Sequence, residues 1–173
     1  MKKTTLCPRC GSCCTTPLAG FAHHCHTCHR DFGFTAPQQA EAQADDICDL
    51  FFYIGGHFGP SYEIWISADR YQVETTDAEP RLHPGPTGFR HSATRFKRLV
   101  RRLYRHYHLA DWNPEYTDSD TMDGTQWELR LLHADGRKER HSGSNAYPPH
   151  FRRLLRSLAP YIRAEGFQFH TGI

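Results

Sequence analysis

Apolar and polar residues alternate along short segments in the first half of the chain, as they do in β-strands that bury one face. Tyr62–Ser67 alternates most regularly, with a tyrosine and two isoleucines on one side and glutamate, tryptophan and serine on the other. Residues 51–54 form a continuous apolar run that ends at a glycine pair, and residues 71–74 follow a polar turn. Together the three segments predict a three-stranded meander.

In two later segments the apolar residues recur at three- and four-residue steps, the spacing of a helix that buries one stripe. The first segment runs roughly from residue 92 to residue 109. The second begins near the proline pair 148–149, because proline is tolerated in a first helical turn. Between them, residues 126–133 and 138–142 predict a hairpin that turns at an Asp-Gly pair. The stripes consist of Phe96, Leu99, Val100, Leu103 and Tyr107 in the first helix, and of Phe151, Leu154, Leu155, Leu158 and Ile162 in the second.

The order of these elements predicts an α+β domain, β-β-β-α-β-β-α, over residues 47–173. We expect an antiparallel sheet of about five strands packed on two amphipathic helices. Residues 35–46 contain no large apolar residue, which indicates a linker or a short exposed helix. Residues 1–34 precede this linker and form a separate module that contains most of the cysteines.

Two C-x-x-C pairs lie in this N-terminal module, Cys7 with Cys10 and Cys25 with Cys28. A tight turn brings the two thiolates of each pair to one side of the backbone, and two such pairs in sequence are a strong signal for tetrahedral zinc. Gly11 follows the first pair, where the chain often needs a positive φ. We therefore predict one structural Zn²⁺ bound by these four cysteines, which would fold a segment that has little core of its own.

The module resembles the zinc-ribbon family over residues 7–34. Zinc ribbons serve nucleic-acid binding, protein docking or structural stapling, so the resemblance implies metal binding and leaves the function open. Segments 123–127 and 143–148 are faintly similar to segments of uncharacterised bacterial domains, a similarity that brings no function with it. The residues shared with the ribbon pattern are Cys7, Pro8, Cys10, Gly11, Cys25 and Cys28, followed by the aromatic Phe32 and Phe34.

Extra cysteines and histidines distinguish this module from the usual ribbon pattern. One of them could replace a predicted ligand, or several could hold a second ion, and a disulfide or redox role is the competing interpretation. The extra residues are Cys13, Cys14, His23, His24, His26 and His29. Cys48 lies outside the module beside an apolar run, and we expect it to be a small buried hydrophobic residue.

Composition indicates the cellular compartment in which we expect the protein. No stretch approaches the roughly 20 consecutive apolar residues of a membrane span. The N-terminus begins with basic residues but has no apolar segment typical of a signal peptide. We therefore expect a cytoplasmic, bacterial-type protein whose seven cysteines are reduced.

Charge is distributed in blocks although the net charge is only +2. Residues 90–110 contain seven Lys or Arg and no acid, whereas residues 111–135 contain seven acids and one arginine. On the first helix several arginines share a face opposite the apolar stripe, which suits contact with phosphate groups. The alternative is a solvated face that pairs with acidic loops of the same protein. The candidate nucleic-acid-binding residues are Arg95, Arg98, Arg101, Arg102 and Arg105, and the last helix repeats the arrangement with Arg152, Arg153 and Arg156.

An acidic loop followed by a strand suggests a weaker alternative, a magnesium-dependent nuclease or related hydrolase. Its metal-binding candidates are Asp118, Asp120, Asp123 and Glu128, but they do not match a calcium-loop pattern. A solvated acidic turn is the simpler interpretation. No nucleophile motif or phosphate-binding loop is present, so an enzyme is not favoured.

These patterns lead to a hypothesis of function. We expect a cytoplasmic zinc-binding protein that binds a macromolecule, with nucleic acid as the leading partner. A protein–protein adaptor in a regulatory or phage-related system is the first alternative, since the near-neutral net charge does not favour coating of DNA. The metal-dependent nuclease is the second alternative.

Overall fold

The computed structural model describes residues 5–19, 22–33, 42–56, 59–76, 89–118, 124–167 and 169. These residues form a small three-stranded sheet near the N-terminus and a six-stranded sheet with two helices. The small sheet consists of β1 (Thr15–Pro17), β2 (His23–Cys25) and β3 (Arg30–Phe32). The larger part runs β4 (Ile47–Gly56), β5 (Tyr62–Ser67), β6 (Tyr71–Thr75), α1 (Ala93–Tyr107), a 3-10 turn (Leu109–Asp111), β7 (Glu115–Thr117), β8 (Thr125–His133), β9 (Lys138–Ser144) and α2 (Phe151–Ala164).

The large sheet has the order β6-β5-β4-β8-β9-β7 and is mixed. Every neighbouring pair is antiparallel except β7 and β9, which are parallel. The prediction of about five antiparallel strands is therefore corrected to six strands in a mixed sheet. The added strand, β7, has only three residues and one buried side chain, so it shows no alternation long enough to detect.

One face of the large sheet is buried beneath the two helices. Phe52, Ile64 and Leu129 are fully buried on that face, whereas Phe51 and Trp65 point to the opposite, half-exposed face and pack together with ring centroids 5.2 Å apart. Successive side chains of a β-strand point to opposite faces of the sheet, which places these two sets of residues on different sides. The helices close the core with buried residues at helical spacing: Phe96, Leu99, Val100, Leu103, Tyr104 and Tyr107 on α1, and Phe151, Leu154, Leu155, Leu158, Ala159, Tyr161 and Ile162 on α2.

Local features define the ends of the helices. The Ser92 side chain accepts a hydrogen bond from the Arg95 backbone N–H and caps α1. At α2 the N-cap is His150, which makes no side-chain capping bond, and Ser144 lies upstream in β9. Pro160 lies inside α2 without ending it.

The expectation of a buried Cys48 is also wrong. Its side chain is exposed, because the pairing of β4 with β8 shifts register between Ile47 and Asp49. The extra residue of such a bulge is unpaired, so its side chain does not follow the alternation of buried and exposed positions along the strand. Just before β4, residues 42–45 are helical and Ala44 belongs to the core, so the end of the predicted linker packs on the domain.

A buried polar network joins α1 to β9. The Glu139 carboxylate accepts hydrogen bonds from Tyr104 Oη at 2.5 Å and from His141 Nε2 at 3.0 Å. His141 Nδ1 lies 2.9 Å from the backbone carbonyl of Asn113, so both ring nitrogens face acceptors. The network thus ties α1, β9 and the segment before β7 together at the edge of the core.

Among the residues that the structure describes, neither helix combines the length and apolar content needed to cross a bilayer.

Candidate metal centre and arginine surface

Two backbone turns carry the predicted metal ligands. In the first, the Gly11 N–H donates to the Cys7 carbonyl at 2.9 Å, and Gly11 adopts a φ of 75° as expected after such a turn. In the second, His29 occupies the corresponding position after Cys28 and adopts a φ of 53°. A left-handed conformation is uncommon for a non-glycine residue, so the second turn holds His29 in a strained backbone region.

The turns bring four sulfur atoms together. Cys7 Sγ lies 3.7 Å from Cys28 Sγ, and Cys10 Sγ lies 3.5 Å from Cys25 Sγ. All four sulfur atoms lie within 4.8 Å of one another. A tetrahedron with Zn–S bonds of about 2.3 Å requires S–S distances of about 3.8 Å, whereas a disulfide requires about 2.05 Å. The cluster therefore fits a tetrahedral metal ion of this size and does not fit two disulfides.

Burial and backbone N–H groups act in opposite directions on the cluster thiols, and burial prevails at two of them: it raises the pKa of Cys10 to about 12 and also raises that of Cys28. Ser12, Thr27, Cys28 and Arg30 each direct a backbone N–H at a cysteine sulfur. Burial raises the pKa of the Cys25 thiol, but hydrogen bonds from the N–H groups of Cys28 and Thr27 outweigh it and lower that pKa to about 6. Four thiolates in contact repel each other, so a cation is needed to hold the whole set deprotonated.

The extra cysteines and histidines lie outside this cluster. Across the described residues, Cys7, Cys10, Cys25 and Cys28 make up the single group of three or more ligand side chains close enough to share an ion. Cys13 and Cys14 are exposed, and His24 Nδ1 pairs with Asp31 at 2.6 Å. His23 stacks on Phe32 at 5.5 Å, and His26 Nε2 lies 3.1 Å from Thr16 Oγ1.

The metal module docks on the larger domain through hydrogen bonds that the sequence pattern did not predict. Tyr116 Oη donates to the Pro8 carbonyl at 3.1 Å, and Arg9 Nη1 donates to Asn113 Oδ1 at 3.1 Å. At the other end of the module, the Gly33 N–H donates to Asp111 Oδ2 at 3.1 Å. Residues 8 and 9 lie between two cysteines of the cluster, so this turn, which we call the metal turn, is itself a docking element.

The predicted arginines of α1 form a continuous exposed surface. Arg98, Arg101, Arg102 and Arg105 are exposed on one side of the helix, opposite its buried residues. A shallow concavity of about 610 Å³ lies among their side chains and is lined by residues of α1 alone. Arg95 lies at the edge of this surface, with Cζ 4.4 Å from the Phe89 ring centroid.

The second helix extends this surface. Arg102 Nη1 donates to Ser157 Oγ of α2 at 3.4 Å, and Tyr107 Oη donates to the Arg153 carbonyl at 3.3 Å. Partial burial and the positive charges of Arg105, Arg102 and Arg153 lower the pKa of His106, so charges from both helices act at one point. Every exposed residue of α2 is an arginine: Arg152, Arg153, Arg156 and Arg163. We call the exposed arginines of α1 and α2 the arginine surface.

Acidic residues neutralise only part of the arginine surface among the described residues. Asp45 pairs with Arg101 at 3.0 Å and with Lys97 at 3.6 Å. Neither α1 nor α2 contains an acidic residue. Within the described part of the chain, no carboxylate forms an ion pair with Arg98, Arg102, Arg152, Arg153 or Arg156. The acidic segments 77–79 and 119–123 lie outside the described residues.

The acidic cluster of the nuclease hypothesis is only partly within the structure. Asp120 and Asp123 lie outside the described residues. Glu128 is paired on the half-exposed sheet face, with Arg130 Nε at 2.9 Å and Arg140 Nη2 at 3.0 Å. Two guanidinium groups thus form ion pairs with the carboxylate that the nuclease hypothesis assigns to a metal.

Comparison of the chain with known protein families, with characterised proteins and with solved structures finds no match. The assignment of function therefore depends on the cysteine cluster and on the arginine surface.

Proposed function

We propose that this chain is a zinc protein that binds nucleic acid through the arginine surface of α1 and α2. The observation that supports it most is the exposed composition of α2, where every exposed position is an arginine beside the arginines of α1. Isolated surface arginines are ordinary, but two helices here share one surface on which five arginines form no ion pair with a described carboxylate, which favours a positive potential. Phosphate groups are the ligands that planar guanidinium groups bind in pairs.

The cysteine cluster has a structural role in this proposal. Cys7, Cys10, Cys25 and Cys28 would supply four thiolates and leave no open coordination position, which is typical of structural zinc. The ion would fix the turn that contains Pro8 and Arg9, and this turn contacts the domain near the end of α1. Zinc binding thereby orders a second element beside the arginine surface without taking part in a reaction.

A fluorescence anisotropy titration tests the proposal. Zinc-loaded protein is added to labelled single- and double-stranded DNA and RNA at two salt concentrations. We expect binding that weakens steeply with salt, because released counterions drive phosphate contacts. The Arg98→Ala/Arg102→Ala variant should lose about tenfold or more in affinity, since each phosphate contact contributes on the order of 1 kcal/mol.

A matched variant separates a local effect from a change in net charge. Arg70→Ala/Lys138→Ala also removes two exposed cations, but from the β5–β6 turn and from the start of β9. It should bind nearly as well as the unchanged protein. Equal losses in both variants would indicate unspecific attraction, and no binding to any nucleic acid at low salt would sink the proposal and point to the adaptor alternative.

A further inference from the structure

The arginine surface consists of two rows, one on each helix. Tyr107 of α1 contacts Arg153 of α2, and Arg102 of α1 contacts Ser157 of α2. Residue numbers fall along α1 as they rise along α2, so the helices run antiparallel. Packed helices have axes about 8–10 Å apart, so the two rows lie side by side on neighbouring helices.

Each row extends along its helix for a length that spans several phosphates. Arg98 and Arg105 are seven residues apart, or about 10 Å at 1.5 Å per residue, and Arg152 and Arg156 are separated by about 6 Å. A duplex carries one charge per roughly 1.7 Å of axis, twice the density of either strand. Two parallel rows match the two phosphate backbones that flank a groove, whereas a single strand offers one backbone.

Phe, Tyr and Trp side chains are missing from the described exposed positions of these helices, whose exposed ring is the imidazole of His106. Phe96, Tyr104 and Tyr107 of α1 are buried, as are Phe151 and Tyr161 of α2. Proteins that bind single strands usually add aromatic platforms on which unpaired bases stack. The arginine surface can contact backbones but offers no exposed Phe, Tyr or Trp side chain as such a platform.

The aromatic residues of the half-exposed sheet face do not supply one either. Arg130 covers the Phe51 ring, with Cζ 3.9 Å from the ring centroid, and Glu128 holds that guanidinium in place. This face lies on the side of the sheet opposite the helices. A strand bound to the arginine surface therefore cannot reach it with its bases.

We propose that the ligand of the arginine surface is double-stranded nucleic acid, bound through the phosphates of both strands without recognition of base sequence. This inference rests on the proposed function and specifies its substrate class. Roughly four or five phosphate contacts give a slope of about −4 for the logarithm of the binding constant against the logarithm of salt concentration.

Competition between duplex and single strands tests the inference. A labelled duplex of about 20 base pairs is bound to the zinc-loaded full chain and displaced by unlabelled duplex, by each separate strand, or by a duplex of unrelated sequence. We expect either duplex to displace the label equally, within about twofold, and each single strand to require at least a tenfold higher concentration. DNA and RNA duplexes are compared in separate arms.

Variants of each row sharpen the test. Arg98→Gln/Arg102→Gln removes cations from the α1 row, and Arg152→Gln/Arg156→Gln removes them from the α2 row. Each should reduce the salt slope by about 2 and weaken duplex binding by a similar factor. Far-UV circular dichroism and bound zinc should be unchanged in both, because all four residues are exposed.

The outcomes separate the two proposals. A single strand that competes as well as the duplex, or an α2-row variant that binds normally, would overturn the duplex inference and leave nucleic-acid binding intact. Binding that depends on base sequence would also overturn it. Absence of binding to every duplex and strand would remove both proposals together.

Discussion

We expect the contact between Tyr116 and the metal turn to make zinc affinity depend on a residue that is far in sequence from the proposed ligands. The Tyr116 hydroxyl accepts a hydrogen bond from the Asn113 N–H at 2.9 Å and donates one to the Pro8 carbonyl at 3.1 Å. The tyrosine is 8% exposed and its ring belongs to the main core. Tyr116→Phe keeps the ring and removes only the hydroxyl, so it isolates the two hydrogen bonds.

The size of the change in zinc affinity depends on which of the two hydrogen bonds of Tyr116 is present without metal. The Asn113 bond lies within the domain, and its loss leaves a half-buried donor unpaired at a cost of about 1–2 kcal/mol with or without zinc. The Pro8 bond exists only while the metal turn is folded and docked, and in the proposed zinc protein the ion would fold that turn. Its loss costs about 1 kcal/mol in the zinc-loaded state alone. By linkage, the same 1 kcal/mol appears as a roughly fivefold weaker zinc affinity.

Two measurements check this expectation. Competition with a chromophoric chelator gives the zinc affinity, and urea unfolding with and without zinc gives the stability. Tyr107→Phe is the matched control, because its buried hydroxyl also has two partners, the Arg153 carbonyl and Ser157 Oγ, and neither belongs to the metal module. Tyr107→Phe should lower stability and leave the zinc affinity unchanged. A Tyr116→Phe variant that loses stability but keeps its zinc affinity would refute this linkage.

Three further predictions concern the ligands, the backbone and pH. Cys25→Ser should abolish stoichiometric zinc in a bound-metal assay, whereas Cys13→Ser should retain one zinc per chain; equal loss in both would contradict the ligand assignment. His29→Val should weaken zinc affinity about fivefold or more and His29→Gly should not, because a β-branched side chain disfavours a φ of 53°; equal affinities would argue against the strained turn. Burial raises the pKa of Glu139, but hydrogen bonds from His141 and Tyr104 outweigh it and hold the pKa below its ordinary 4.5. Its stabilisation is therefore present above pH 4.5 and is lost as pH falls through the lowered pKa. Glu139→Gln should lower the free energy of unfolding by about 2 kcal/mol at pH 7, and in urea unfolding this free energy should fall less steeply as the pH is lowered. An unchanged fall of stability with acid would contradict the lowered pKa of Glu139.

Hydrophobic periodicity predicted the main strands and helices because burial of one face imposes a fixed repeat. Tyr62–Ser67 has the same bounds in the structure as in the prediction, and its alternation matches the buried and half-exposed positions. β7 could not be predicted, since its three residues pair with β9 through tertiary contacts. The bulge that exposes Cys48 depends likewise on the pairing partner, which no local pattern reveals.

The candidate site likewise combines features that sequence spacing predicts with features that depend on tertiary packing. Spacing alone selected the four cysteines that the structure brings together, because the turn geometry of a C-x-x-C pair is local. The docking of Pro8 on Tyr116 joins residues 108 positions apart and leaves no trace in sequence spacing. The arginines of α2 were visible as a repeat, but their position beside α1 is a property of helix packing.

The arrangement of charge explains how a chain of net charge +2 can carry a surface of one sign. The helices have no acids, and they lie on one side of the sheet. Acids on the opposite face, such as Glu128, pair there with Arg130 and Arg140. Among the described residues, the cations of that face are partly neutralised and those of α2 form no ion pair with a carboxylate, so unpaired positive charge concentrates on the helices. On the proposed function, this charge would steer a polyanion to the arginine surface, and we expect a higher salt concentration to weaken that steering.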